Sequence, residues 1–186
     1  MVSYSLVSNT LAMEGFTFET PVVPASNETN ETKEGLSRDE LVVALASSAH
    51  DTWRAPRRIE GTDMYEPRVK PVKDEQWIAD HGGVLQMDIA NTPYQELPSE
   101  WQADNKASAE VATDAVLVAA TNGRALDETF IEEVSATVHE KWLERNAKFA
   151  TEEQKKPYAE LSEEEKQKDR EFVLGAIALY KERASK

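Results

Sequence analysis

The chain carries the same three-part pattern twice. A histidine followed three residues later by a tryptophan opens each copy, at His50 and at His139. A Pro-Tyr-x-Glu-Leu motif comes next, beginning at Pro93 in the first copy and at Pro157 in the second. An amphipathic run then closes each unit. An internal duplication of this kind predicts two related supersecondary units, each of which buries its apolar face against a neighbour.

Helical periodicity precedes each histidine in the same phase. The first apolar stripe runs from Leu41 to Trp53, and the second runs from Phe130 to Trp142. Counted back from the histidines, the apolar positions coincide as Leu41 with Phe130, Val42 with Ile131, Leu45 with Val134 and Ala49 with Val138. This agreement in phase favours a true duplication over a chance match of short motifs.

Polar residues mark where the helices begin. Ser37 opens a capping-box pattern, and Asp127 is a good N-cap for the matching helix of the second copy. Ser99 and Ser162 open the same capping-box pattern ahead of the helix that closes each unit. Asn122-Gly123 predicts the end of the first closing helix. Each unit is therefore predicted to be helix-loop-helix, and the protein is predicted to be mainly α.

The two copies differ in the loop between their motifs. The first copy has 25 more residues between its histidine and its Pro-Tyr motif than the second. We expect this insertion, residues 57–91, to carry what is special to the protein, because long loops concentrate function. Its apolar runs at 69–72 and 84–89 predict short strands or turns.

The predicted organisation has three parts. Residues 1–35 form an extended N-terminal arm and linker, residues 36–121 form repeat 1, and residues 124–183 form repeat 2. We expect the repeats to pack as a pseudo-twofold pair, because a two-helix unit is too small to bury its apolar stripe alone.

Composition limits the possible partners. The formal charge of −14 argues against binding to nucleic-acid phosphates, which requires clustered Lys and Arg, and leaves an acidic mimic of nucleic acid as an alternative. No apolar run approaches the length of a membrane span, and no signal peptide is recognisable. We expect a cytoplasmic protein, or a virion-associated one if it is viral, with protein partners and no membrane or nucleic-acid partner.

The motifs resemble the ryanodine-receptor repeat, in a tandem arrangement of the small bacterial or phage type. The second copy matches at His139, Trp142, Pro157, Tyr158, Leu161, Asp169 and Arg170, and the first matches at His50, Trp53, Pro93, Tyr94, Leu97 and Pro98. The first copy has Asp104-Asn105-Lys106 in place of the Lys-Asp-Arg of the second. The resemblance covers roughly residues 36–118 and 127–183. It implies a compact helical unit without enzymatic activity, and it raises the sensing of a nucleotide-like ligand as one function.

The resemblance and the motifs supply the candidate ligand-binding residues. They are His50, Trp53, Tyr94, His139, Trp142, Tyr158 and Arg170. In the functional interpretation, the rings stack on a ligand while His and Arg supply polar contacts. In the structural interpretation, Trp fills the core, His bonds a backbone carbonyl, Tyr clasps a loop, and Arg170 forms a helix-surface ion pair with its neighbours.

Catalysis has little support in the sequence. Three histidines and no cysteine leave few pairs of a nucleophile with a base, and the chain has no phosphate-binding loop and no zinc-protease motif. We therefore predict no catalytic residues, no metal site and no cofactor. An enzyme would need carboxylates converging with His81 in the insertion.

Two hypotheses remain. The first is a non-enzymatic interaction or structural protein that docks on a larger assembly, such as a viral particle or a regulatory complex, through its arm and insertion. The second is a sensor of a nucleotide-like small molecule that uses the His, Trp and Tyr of a repeat. Full burial of both Trp rings with no cavity beside them would count against the sensor.

Overall fold

Five α-helices and one two-stranded sheet make up the described part of the chain, residues 37–185 of the computed structural model. The helices are α1 (Arg38–Arg54), α2 (Glu75–Asp80), α3 (Ser99–Thr121), α4 (Glu128–Asn146) and α5 (Glu163–Ala184). The strands are β1 (Val69–Pro71) and β2 (Gln86–Asp88). The predicted mainly helical class is confirmed, whereas the N-terminal arm, residues 1–35, lies outside the described residues.

Side-chain caps start three of the four long helices as predicted. The Ser37 side chain accepts a hydrogen bond from the Glu40 N–H in a complete capping box, and Asp127 accepts one from Phe130 N–H at 3.0 Å. Ser162 caps α5 through the N–H of Glu165. These bonds satisfy backbone donors that the first turn of a helix leaves free.

The predicted cap at Ser99 is wrong. The N-cap of α3 is Pro98, which makes no side-chain cap, and Ser99 is already the first helical residue. Its hydroxyl donates to Asp74 at 2.7 Å instead. Asp74 belongs to the insertion and is the N-cap of α2. The Ser99 side chain therefore bonds the insertion instead of capping the closing helix.

The insertion folds back on repeat 1. The two apolar runs do contain the short strands β1 and β2, which pair antiparallel with Lys70 opposite Met87. Neither this pairing nor the short helix α2 between the strands was predicted. The Lys73 N–H donates to the Glu100 side chain at 2.6 Å. This bond, together with the Ser99–Asp74 contact, attaches the insertion to the start of α3.

One apolar core joins both repeats. α3 and α5 each pack against the other three long helices. The buried residues of the two units follow one register, with Leu45 at the position of Val134, Ala109 at that of Val173 and Ala112 at that of Ala176. Every one of these side chains belongs to the shared core. Within residues 37–185, no helix has the length and apolar character that crossing a lipid bilayer requires.

Gly175 of α5 lies directly against the Leu45 side chain of α1. A Cβ atom at this position would lie 2.6 Å from Cδ1 of Leu45, a side chain that is 2% exposed. Glycine inside a helix ordinarily costs about 1 kcal/mol relative to alanine, but here the extra methyl overlaps a packed side chain.

We expect Gly175→Ala to lower the free energy of unfolding by about 1–2 kcal/mol, measured by urea denaturation. In a Leu45→Val background, which removes Cδ1, the same substitution should cost less. Equal costs in the two backgrounds would contradict the steric explanation.

Candidate functional site

Each repeat buries its motif histidine against a backbone carbonyl. The Nε2 atom of His50 lies 3.0 Å from the oxygen of Thr92, and the Nε2 atom of His139 lies 3.0 Å from the oxygen of Lys156. A carbonyl can only accept, so Nε2 carries the hydrogen in both rings. The histidines thereby join the first helix of each unit to the loop just before the Pro-Tyr motif.

The aromatic neighbours repeat the same geometry. The His50 ring lies 5.6 Å from Trp53 and 6.3 Å from Tyr94, measured between centroids. The corresponding distances from His139 are 6.3 Å to Trp142 and 6.3 Å to Tyr158. The interplanar angles also agree closely, at 24° and 23° to Trp and at 50° and 52° to Tyr. Each copy thus contains a His-Trp-Tyr cluster of the same geometry.

The two clusters border cavities of different size. A cavity of about 140 Å³ lies beside His139 and Trp142; we call this the repeat-2 cavity. A cavity of about 690 Å³ lies beside His50 and Trp53; we call this the repeat-1 cleft. Because both tryptophans are only partly buried and each borders a cavity, the arrangement that would count against a sensor is not found.

In repeat 2 the polar groups around the cavity satisfy one another. Gln154 donates to Glu165 at 3.2 Å, and Glu165 pairs with Lys168. The Trp142 indole N–H donates across the repeat boundary to Asp104 at 3.2 Å. These bonds leave little in the repeat-2 cavity to recognise a ligand.

His139 has a further partner in repeat 2. Its Nδ1 atom lies 3.3 Å from the carboxylate of Asp169, which is largely buried. Burial raises the pKa of Asp169 to about 6, and the nearby His139 opposes this rise. Since Nε2–H of His139 is used by the Lys156 carbonyl, the Nδ1–carboxylate contact needs its own proton to be a hydrogen bond.

Among residues 37–185, no carboxylate pairs with His50 as Asp169 does with His139. Counted from the Pro-Tyr motifs, Asn105 occupies the position of Asp169, and it borders the repeat-1 cleft beside His50. Within residues 37–185, His50 Nδ1 and the indole N–H of Trp53 have no hydrogen-bond partner. Desolvation by burial lowers the pKa of His50, which keeps the ring neutral and Nδ1 an acceptor at pH 7.

Sequence reasoning missed several residues of the repeat-1 cleft. Lys70 and Lys73 come from the insertion, Trp101 comes from the first turn of α3, and Phe149, 86% exposed, follows α4. Aligning the two copies gives a signal for one of them, because Trp101 stands where repeat 2 has Glu165. The two lysines have no counterpart in repeat 2 and therefore no such signal.

Three predicted site residues do not border either cavity. Tyr94 and Tyr158 are buried against their histidines, and their hydroxyls donate to the Gln102 carbonyl at 3.3 Å and to Glu132 at 3.1 Å. Arg170 forms an ion pair of two hydrogen bonds with Glu132 of α4, and it also donates to Glu163 of its own helix. The structure therefore brings together His50 with Trp53, and His139 with Trp142, beside open space.

No group of three or more His, Asp or Glu side chains within residues 37–185 is placed to hold a metal ion. His81, the residue that an enzyme would need, stacks on Trp77 at 3.8 Å and contacts the Trp77 carbonyl. Comparisons of the chain with protein-family models, with curated proteins and with solved structures found no match.

Proposed function

We propose that the protein is a non-enzymatic binding module, and that its repeat-1 cleft takes a small molecule. One observation carries the proposal: in repeat 2 the His-Trp-Tyr cluster borders a cavity of about 140 Å³ whose polar groups bond to one another, whereas in repeat 1 the same cluster borders a cleft of about 690 Å³. A cleft of about 690 Å³ is in the usual size range of small-molecule sites. The free Nδ1 of His50 and the free indole N–H of Trp53 are the kind of sparse polar groups that orient a ligand.

The fold of the two repeats is part of the same proposal, because the cleft depends on how they pack. We infer two ryanodine-receptor-like repeats that pack as a pseudo-twofold pair. Support comes from the matched histidine geometry and from the reciprocal packing of α1 on α5 and of α3 on α4. In this pair the cluster of repeat 2 has a structural role, because the indole N–H of Trp142 donates a hydrogen bond to Asp104 of repeat 1.

A thermal-shift screen of the full chain against nucleotides and related metabolites tests the ligand-binding function. A ligand present at 100 times its Kd stabilises the folded state by about 2.7 kcal/mol, which corresponds to roughly 5–10 °C for a chain of this size. Asn105→Phe places a large side chain at the cleft and should abolish the shift. Lys106→Met changes the adjacent exposed residue, which does not border the cleft, and should retain it.

Two results would decide against the cleft. A flat screen on a well-folded protein would remove the small-molecule function. A shift that survives Asn105→Phe would place the ligand elsewhere on the molecule.

The insertion supports a second function, docking on a larger assembly. Five of the nine large hydrophobic side chains that are exposed within residues 37–185 lie in it: Ile59, Met64, Val69, Val84 and Leu85. Scattered apolar side chains are common on surfaces, but their concentration in one inserted segment is typical of a contact surface.

Docking predicts that co-sedimentation of the protein with its native assembly depends on these side chains. Leu85→Ser combined with Met64→Ser should release the protein from the assembly, whereas Val118→Ser, an equally exposed change on α3, should not. Deletion of residues 1–35 tests the contribution of the arm. Unchanged co-sedimentation of all variants would exclude docking through the arm and insertion.

A further inference from the structure

We propose that the protein forms a twofold-symmetric dimer in which α5 of one copy packs antiparallel against α5 of a second copy. The contact surface is a row of exposed residues along α5, which we call the α5 stripe: Glu171, Leu174, Ala178 and Lys181. Their spacing of three and four residues places them on one face of the helix. None of them borders the repeat-1 cleft, so the dimer is separate from the proposed ligand site.

The middle of the α5 stripe is uncharged. Residues 172–180 contain no Asp, Glu, Lys or Arg, whereas charged residues make up 30% of the chain. Leu174 is 44% exposed although it lies in the centre of a long helix, and Ala178 on the next turn is exposed as well. A large and a small apolar side chain on successive turns allow the ridge of a second helix to pack against them.

Each end of the α5 stripe carries a charge without a partner. Within residues 37–185, neither the Glu171 carboxylate nor the Lys181 ammonium group forms an ion pair or a hydrogen bond. The two residues lie about 15 Å apart along the helix axis, so they cannot pair with each other. By contrast, Glu165 and Lys168 of the same helix pair at 2.5 Å. The two ends of the stripe are therefore available to charges of another molecule.

The order of residues in the α5 stripe is complementary to itself. When two α5 helices run antiparallel about a twofold axis at the level of Ala176, Glu171 faces Lys181 of the second copy. Leu174 then faces Ala178 of the second copy. Because a twofold axis makes every contact twice, the result is two ion pairs on either side of an apolar centre. A parallel alignment would instead place each charge against its own copy.

The counterpart of α5 in repeat 1, α3, lacks this order. In the register of the buried core positions, Leu174 corresponds to Glu110 and Ala178 corresponds to Asp114. An antiparallel pair of α3 helices would therefore bring carboxylates against each other at its centre. Two helices that match in their buried positions thus differ on their outer faces, and only the face of α5 suits self-association.

The charge of the whole molecule favours a second copy as the occupant. Two molecules with a formal charge of −14 repel each other at long range, so they can associate only through a contact without net charge. The α5 stripe has one anion and one cation and meets this condition. A basic partner would be attracted to the carboxylates elsewhere on the surface rather than to this stripe.

Sedimentation equilibrium of the full chain tests the dimer. We expect a monomer–dimer equilibrium with a dissociation constant of about 10–100 µM, because a contact made by one helix of each copy is smaller than a standard interface. Lys181→Glu sets carboxylates against each other on both sides of the axis and should raise this constant at least about tenfold. Glu171→Lys should have the same effect through opposed ammonium groups.

Charge reversal in both positions separates pairing from any loss of folding. The double variant Glu171→Lys with Lys181→Glu restores opposite charges across the axis and should dimerise as the wild type does. An equimolar mixture of the two single variants should form a mixed dimer, because each Glu then faces a Lys. Lys106→Glu, the same charge change at an exposed position of α3 outside the stripe, should leave the dimer unchanged.

A protein that stays monomeric up to about 500 µM, well above the expected dissociation constant, would overturn the proposal. A dimer that persists in Lys181→Glu, or one that the double variant fails to restore, would also overturn it, because the contact would then involve another face.

Discussion

Replacing Phe130 with alanine is expected to lower the free energy of unfolding by about 3–5 kcal/mol. The side chain is 2% exposed and belongs to the core that joins the four long helices. Removing it leaves a cavity that packed neighbours refill only in part. Urea denaturation followed by far-UV circular dichroism measures the loss.

The same variant tests whether the two repeats fold as one unit. Because α3 and α5 each contact the other three long helices, a cavity in repeat 2 should also destabilise the helices of repeat 1. Native-state hydrogen exchange should show an equal loss of protection in α1 and in α4. Leu41→Ala, at the matching position of repeat 1, is the reciprocal control. A loss confined to α4 and α5 would mean that the repeats unfold independently.

Asp169→Asn is expected to change how stability depends on pH. The pKa of Asp169 is raised in the folded protein to about 6, from an ordinary value of 3.8, because the carboxyl is buried. A raised pKa favours folding while the group is protonated. Its contribution is fully present below about pH 4 and is lost as the pH rises through about 6.

The expected size is about 2–3 kcal/mol between pH 4 and pH 7, since a tenfold change in a proton-binding constant corresponds to about 1.4 kcal/mol. The difference in unfolding free energy, Asp169→Asn minus wild type, should therefore grow by this amount as the pH rises. Denaturation curves at pH 4, 5, 6 and 7 measure it, and taking the difference cancels the titration of other carboxylates.

Repeat 1 supplies the reciprocal control. Asn105→Asp places a carboxylate at the position that matches Asp169, at the wall of the larger cleft that His50 also borders. We expect a pH dependence of the same sign and smaller size, because solvent reaches the new carboxylate more easily. A difference between Asp169→Asn and wild type that stays constant from pH 4 to pH 7 would contradict the burial of an ionisable pair.

The histidines show where prediction from the sequence ends. Duplication of the motif predicted that His50 and His139 are equivalent, and they do make the same bond to a backbone carbonyl. What lies against the other ring nitrogen depends on a residue far along the chain, on another helix. Asn105 and Asp169 can be aligned in the sequence, but whether they approach a histidine is a matter of helix packing.

The sequence by itself determined the helical class, the register of the buried positions and the starts of α1, α4 and α5. These features depend on periodicity and on caps, which act within one or two turns of the chain. Only the tertiary structure decided that the insertion folds back to place Lys70 and Lys73 at the cleft that His50 borders, and that Ser99 bonds Asp74 of the insertion instead of capping α3. Contacts of this kind join distant segments, so their partners follow from how the helices and the insertion pack rather than from any local pattern.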